Sequence, residues 1–482
     1  MSGAPAKART KQKLSEVGRK VSPFDGISPT DYRYKVRELV PFLSEEAYVA
    51  HKSEMEIALA TTLMKSGHLS PEAEEQIRVA AKGVRAADVY WREQSTQHDI
   101  LAQVGAIRAR LPKGSEAQRS VHKTATSYDI VDSANALRYR RAFTQIVIPD
   151  MIAFERVLIA GAKEFKDTYQ IGRTHLQHAE PISVGFALAW HAHRFGTRIL
   201  ATKQAVGTLE GKFAGAVGTH SAASLFVNDP LQFEADVLGQ VGLKPALIST
   251  QIVPPEPLVD LNHAVISAFG VVHDWAVNMY QLQRPEIDEI GQPRGEDTSR
   301  SSTMPFKKNP VGLENIAGLW RVMMPRIITS YLDQTSLHSR DLMNSAPERW
   351  MPELYDIYDF AVRRATRIAK TLKPNPKSLL RNLETGAAQI VGEPLYLLLA
   401  GYGHPNAHEY VAELADAAMR TGKPLLEVAR GRKSLKPYFA QFTPEQVAVL
   451  EDPKKYLGLA SAKAASVADH WEEVLRKEFA TA

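Results

Sequence analysis

Cysteine is absent from all 482 residues, so neither a disulfide framework nor a thiolate metal site can form. That fits a reducing compartment, and a cytoplasmic protein is the expectation. Long apolar runs are missing too: none approaches the roughly 20 residues that a helix needs to cross a bilayer. The amino-terminal stretch lacks the apolar core of a secretory signal. Strand-type alternation is scarce, no Gly-x-Gly-x-x-Gly follows a strand, and no Walker-type phosphate loop occurs. His175 and His178 stand three apart, yet no third ligand follows at a metal interval. His191 and His193 are two apart and point to different faces of a helix. The sequence thus offers no dinucleotide motif, no P-loop and no convincing metal spacing, and neither a metal nor a cofactor is expected.

What is present is ordinary globular material, with 44% hydrophobic and 23% charged residues. At this length two or three domains are expected. The formal charge of +5 lies wholly in residues 1–22, where Lys7, Arg9, Lys11, Lys13, Arg19 and Lys20 face only Glu16. The rest is balanced, so the basic excess reads as a disordered tail and neither nucleic acid nor membrane is an expected partner. Residues 23–35 read as an extended arm. Helical spacing begins at Ser44 and runs to Met64, stopped by Gly67, with further helices at about 71–83 and 85–92. A broken segment spans 93–129. Residues 130–167 predict a long helix kinked at Pro149, then a loop over 168–181. Pro181 reads as the start of a second long helix reaching about 211, followed by a glycine turn at 211–220 and a short helix near 229–241. Further helices are expected at 256–290, 311–336 and 349–371. The fold class is all-α, with a basic tail (1–22), an N-terminal helical domain (23–115), a central long-helix bundle (116–373) and a C-terminal helical domain (374–482). Long helices with wide apolar faces need partners, so an oligomeric bundle is expected.

Three polar clusters fall at helix ends: 122–129, 173–178 and 298–310. Helix ends gather side chains from distant sequence and offer free backbone N–H groups to anions. The last cluster, Thr298 to Pro310, contains serines, Pro305 and Pro310 and reads as a loop. It offers hydroxyls at Ser301 and Ser302, ammonium groups at Lys307 and Lys308, and the Asn309 amide. Such a set can grip a carboxylate, and a deprotonated serine can act as a base. No Gly-x-Ser-x-Gly elbow surrounds Ser301, which argues against a hydrolase nucleophile.

The run Ser301-Ser302-Thr303-Met304-Pro305-Phe306-Lys307-Lys308-Asn309-Pro310 resembles the signature loop of the fumarase/aspartase superfamily. Other segments, in order, resemble its branch acting on succinylated purine nucleotides. They are Asp31-Tyr32-Arg33-Tyr34, Thr96-Gln97-His98-Asp99, His122 with Thr126-Ser127-Tyr128-Asp129, and Arg173-Thr174-His175. Gly215 to Thr219, Thr250-Gln251, Arg340-Asp341-Leu342 and Ser345 to Arg349 complete the set.

The resemblance implies a fumarase/aspartase-like homotetramer with a central bundle of long helices and active sites shared between subunits. It implies elimination of fumarate from adenylosuccinate, giving AMP, and from succinyl-aminoimidazole-carboxamide ribotide, without metal or cofactor. In that reading Ser301 is the general base and His175 the general acid. Lys307, Asn309, Thr126, Ser127 and Gln251 bind the succinyl carboxylates, and Thr174 also binds substrate. His98, Asp99 and His122 support the site, and Arg33, Tyr34, Arg340, Ser345 and Arg349 hold phosphate and ribose. The chain departs from the pattern at Arg300, where glycine is usual, and at Phe306 and Thr124. Pro254-Pro255-Glu256-Pro257 replaces a usual Arg-Asp pair, which leaves a different N-succinyl or aspartate-like amine open as the second reading.

Overall fold

The structure, a computed structural model, describes residues 28, 30, 32–300 and 302–479. The basic tail and Ser301 lie outside the described residues. The helices used below are α1 (Glu45–Lys65), α2 (Pro71–Lys82), α3 (Ala86–Thr96), α4 (Asp99–Arg108), α5 (Ser127–Ala142) and α6 (Ile148–Glu164). A hairpin of β1 (Tyr169–Thr174) and β2 (Gln177–Ser183) follows, then α7 (Val184–Gly207), α8 (Pro230–Gly239) and α9 (Glu256–Gln281). Next come α10 (Val311–Met323), α11 (Arg326–Leu332), α12 (Met351–Thr371) and, after shorter helices, α13 (Ala460–Glu478). The protein is all-α.

Local rules explain the helix ends. The Ser44 hydroxyl accepts from the Ala47 N–H at 3.1 Å and starts α1. Ser70 does the same for α2 at 3.3 Å, with Pro71 in the first turn. Proline also accounts for three corrections. The helix expected over 130–167 is interrupted by a π-helical turn, Phe143–Val147, because Pro149 has no N–H to continue the ladder. The helix expected over 256–290 ends at Gln281, ahead of Pro285. The one expected over 311–336 divides around Pro325. A fourth correction concerns 168–181, which is a hairpin and not a loop. Pro181 sits in β2 opposite Ile171, so the following helix begins at Val184 and ends at Gly207.

The chain divides into two compact units, and every boundary between them falls inside a helix. The first takes in the described residues of Met1–Met151, Arg198–Phe269 and Leu319–Val362. In its core Tyr355 packs edge-on against Tyr139 and Phe143, with centroids 5.1 and 4.9 Å away. The Tyr355 hydroxyl donates to Asn262 Oδ1 at 2.6 Å, and Asn262 Nδ2 donates to Ser330 Oγ at 2.6 Å. One polar thread thus ties α9, α11 and α12 together. A second buried pair, Lys212 with Asp129, fixes the glycine turn, since the Lys212 ammonium also donates to the Gly215 carbonyl at 3.1 Å. Gly218 there has φ +79°, and a Cβ on it would meet the Ser249 carbonyl oxygen at 2.0 Å.

The second unit takes in Ile152–Thr197, Gly270–Gly318 and the described residues of Arg363–Ala482. Phe154 packs edge-on against Phe195 and Trp275, both 5.1 Å away, joining α6, α7 and α9. Leu395, Leu399, Leu414, Leu425 and Leu435 form a separate core among the short C-terminal helices. α13 docks through Trp471, whose ring lies where a Cβ on Gly196 would be, 2.4 Å from Cε3.

Candidate active site

The first unit gathers seven of the expected residues around one cavity of about 470 Å³: His98, Asp99, Ser127, Gln251, Arg340, Ser345 and Arg349. They come from the N-terminal ends of α4 and α5 and from segments more than 100 residues later in sequence. His98 caps α4, its Nδ1 accepting the Leu101 N–H at 3.3 Å. That bond leaves the ring proton on Nε2, which faces Ser127 Oγ at 3.4 Å. Asp99 accepts from the Ile100 N–H at 2.8 Å and faces the buried Lys52 ammonium at 3.6 Å. Burial lowers the Lys52 pKa against the opposing pull of Asp99. Gln251 is held by its backbone N–H on the Ser339 carbonyl at 3.1 Å, and its buried side-chain oxygen has no partner among the described residues.

Arg340 has φ 142°, a region that favours glycine, and its Nε donates to Asn344 Oδ1 at 3.2 Å. Asn344 in turn donates to Glu348, so a relay of three side chains fixes the guanidinium at the cavity wall. Burial, reinforced by the charge of Asp132, pushes the Glu348 carboxyl up.

Four expected residues stand apart from this cavity's lining in the same unit. Arg33 is exposed, and Tyr34 packs edge-on against Phe360 at 5.3 Å. Thr126 starts α5, its N–H donating to Asp129 Oδ2 at 2.8 Å. His122 is gripped by the buried Glu56, with Nδ1 at 2.7 Å from Oε1 and the backbone N–H at 3.1 Å from Oε2. Burial alone would lower the His122 pKa, but the charge and hydrogen bond of Glu56 outweigh it and the net shift is upward.

Sequence reasoning missed Arg138, which is buried in the cavity wall between the Tyr48 and Tyr139 rings at 4.2 and 4.7 Å. In sequence it belongs to an apparently solvated run with Arg140 and Arg141. It also missed Lys52 and Glu56, although a signal existed: His51, Lys52, Ser53 and Glu56 interrupt what should be an apolar face of α1.

The second unit carries the other expected groups. His175 and Leu176 form the two-residue turn of the β1–β2 hairpin, with φ of 52° and 65°. Thr174 and His175 are exposed at its tip. Below the tip, Arg173 forks onto Glu289 at 2.5 and 3.1 Å. Glu289 is fully buried and also accepts from Gln170 and Asn382, each at 2.8 Å. A rigid stem thus presents an imidazole to solvent. The 298–310 segment is also not wholly loop, because β3 (Ser299–Arg300) and β4 (Lys308–Asn309) pair antiparallel. Asp297 anchors its base, held by Arg364 at 3.0 Å and Arg367 at 3.2 Å. Lys307 is exposed on the connection and Asn309 is half-buried in β4. Among the described residues no His, Asp or Glu group could hold a metal ion. No described helix is long and apolar enough to cross a membrane.

A family profile described as Lyase matches residues 41–324. Adenylosuccinate lyase of Pyrococcus abyssi (strain GE5 / Orsay) is 35% identical over 459 residues, covering 94% of this chain and 99% of that protein. Adenylosuccinate lyase of Archaeoglobus fulgidus is 30% identical over 454 residues, covering 93% and 100%. Two crystal structures share the fold. The 3-carboxy-cis,cis-muconate lactonizing enzyme of Pseudomonas putida has a TM-score of 0.81 at 22% identity, covering 92% of this chain and 99% of its own. The fumarate lyase of Mesorhizobium sp. BNC1 has a TM-score of 0.79 at 22% identity, covering 90% and 98%.

Proposed function

Because the chain belongs to the adenylosuccinate lyase family of fumarate-releasing C–N lyases, we propose that its substrates are adenylosuccinate and succinyl-aminoimidazole-carboxamide ribotide. The observation that carries this reading is the shared cavity: cations at Arg340 and Arg349 and hydroxyls at Ser127 and Ser345 suit a phosphorylated sugar with a dicarboxylate attached.

In the proposed reaction Ser301, as alkoxide, removes a proton from the succinyl carbon adjacent to a carboxylate. Negative charge develops on that carboxylate as an aci form, which Lys307 and Asn309 stabilise together with Ser127 and Gln251. The backbone N–H groups of the loop and the Lys307 ammonium lower the serine pKa once water is excluded. The carbon–nitrogen bond then breaks, and the His175 imidazolium gives its proton to the departing nitrogen. Fumarate and the free amine leave, with one proton taken and one returned. His98 orients Ser127, while His122 on Glu56 stiffens the preceding turn. Arg33 and Tyr34 complete the nucleotide grip, Asp99 steadies Lys52, and Thr174 holds the hairpin tip.

The site is proposed to be completed by three subunits of a homotetramer. Support comes from the exposed His175 tip and from uncovered apolar side chains on bundle helices, such as Trp190 (59% exposed), Ile328 (62%) and Leu332 (66%). Fumarate release, followed by purine absorbance with both substrates, tests the assignment. Ser301→Ala and His175→Ala should each lower turnover by about 10³-fold with the oligomer intact. A wild-type protein inert towards both substrates would overturn it. The second reading, a different N-succinyl or aspartate-like amine, rests on Pro254, Pro255 and Pro257. They wall a smaller cavity of about 70 Å³ that shares Asn135, Arg340 and Glu348 with the large one. Fumarate released only from a non-nucleotide substrate would favour it.

A further inference from the structure

The second unit contains a cavity of about 430 Å³ whose walls include none of the residues assigned above to the elimination. Its size falls within the roughly 300–1,000 Å³ of small-molecule sites. The cavity opens to solvent beside the exposed side chains of Arg156, Glu164, Lys370 and Lys373, so a small ligand can enter it. α6, α7, α9 and α12 build its walls, with Val157, Leu188, Trp275, Met279 and Leu372 among the lining side chains. Gly161 lets the wall close, since a Cβ there would lie 2.8 Å from Leu188 Cδ1.

The charged rim gives this apolar space a chemical preference. Trp275 and Gln170, 1% and 4% exposed, both line it. Trp275 Nε1 and Gln170 Oε1 have no hydrogen-bond partner among the described residues, so one buried donor and one buried acceptor stand unused. The lining also includes three cations, Arg156, Lys370 and Lys373, against one carboxylate, Glu164. Lys373 lies 3.6 Å from Glu164. Arg156 and Lys370 form no ion pair among the described residues. Apolar walls beside two uncommitted cations complement an amphipathic anion.

We propose that this cavity binds a small amphipathic monocarboxylate, its alkyl or aryl body among Val157, Leu188, Trp275 and Met279 and its carboxylate on Arg156 and Lys370. None of its lining residues is shared with the lyase cavity, and it does not depend on the substrate assigned there.

Calorimetric titration of the full-length protein with decanoate, decanol and decylamine tests this. One decanoate per chain should bind, with decanol at least about tenfold weaker and decylamine weaker still. Arg156→Glu/Lys370→Glu should weaken decanoate by at least about tenfold and improve decylamine, with fumarate release by the unliganded enzyme unchanged. Ala369→Trp, which fills the cavity, should abolish decanoate binding, and the charge reversal decides the matter if that variant does not fold. Three results would each overturn the proposal: no binding of decanoate, equal binding of decanol, or binding that survives the charge reversal.

Discussion

Replacing Arg173 by methionine tests whether the stem of the β1–β2 hairpin positions His175. Met keeps most of the side-chain length but removes the fork on Glu289. Glu289, with no exposure, would then keep the amides of Gln170 and Asn382 and no counter-charge. Breaking a buried ion pair from one side costs roughly 3–5 kcal/mol. The two surviving amide bonds and the 18% side-chain exposure of Arg173 place this case at the lower end, at about 3 kcal/mol. Glu289→Gln should cost less, about 1–2 kcal/mol, because the arginine left behind can reach water. In the double variant both charges are gone, so its loss should fall short of the sum of the singles by about 2 kcal/mol. Denaturant unfolding gives the cycle, and hydrogen exchange over 169–183 should show the loss confined first to the hairpin. Displacing the His175 tip by about 1 Å should lower turnover by about 10²-fold in each single variant. Additive singles, or an Arg173→Met loss below about 1 kcal/mol, would refute the idea that this pair holds the proposed acid in place.

Other consequences can be checked separately. The His122 pKa is raised in the fold, so its pairing with Glu56 stabilises below the ordinary histidine value of 6.5 and is lost as pH rises through the raised value. His122→Gln should therefore lower Tm more at about pH 6 than at about pH 9, and an equal loss at both would contradict the pairing. Glu348 is also raised, but it is an acid. Stability should fall as pH climbs from the ordinary 4.5 through the raised value, and Glu348→Gln should gain Tm over wild type between about pH 5 and about pH 9. Gly196→Ala should cost roughly 1–3 kcal/mol through collision with Trp471, and Trp471→Leu should relieve most of that cost. Equal losses in both backgrounds would show that the close approach is not what selects glycine.

What could be read from the sequence divides by the range of the forces involved. Ser44, Ser70 and Pro71 act within one helical turn, so α1 and α2 were legible within a residue or two. Pro181 shows where local reading fails. Its pattern suits the first turn of a helix, but the chain pairs it with Ile171 across a hairpin, and nothing near residue 181 announces that register. The His175-Leu176 turn hides for a related reason: both residues take positive φ without the usual Asn-Gly, a local cost that the strand pairing must offset. The site divides in the same way. His98, Ser127, Arg340 and Arg349 were expected because each belongs to a motif, and all four line one cavity. Arg138 and Glu289 were not, because their meaning lies in partners distant in sequence: Tyr48 for Arg138, and Arg173, 116 positions away, for Glu289. A buried charge does not declare itself in composition, since an arginine looks alike whether it faces water or two tyrosine rings. Motifs therefore name the groups proposed to touch substrate, while the groups that aim them emerge only once the chain is folded. Glu289 behind Arg173 and Asn344 behind Arg340 belong to that second kind, and substitutions there should disturb placement before they disturb chemistry.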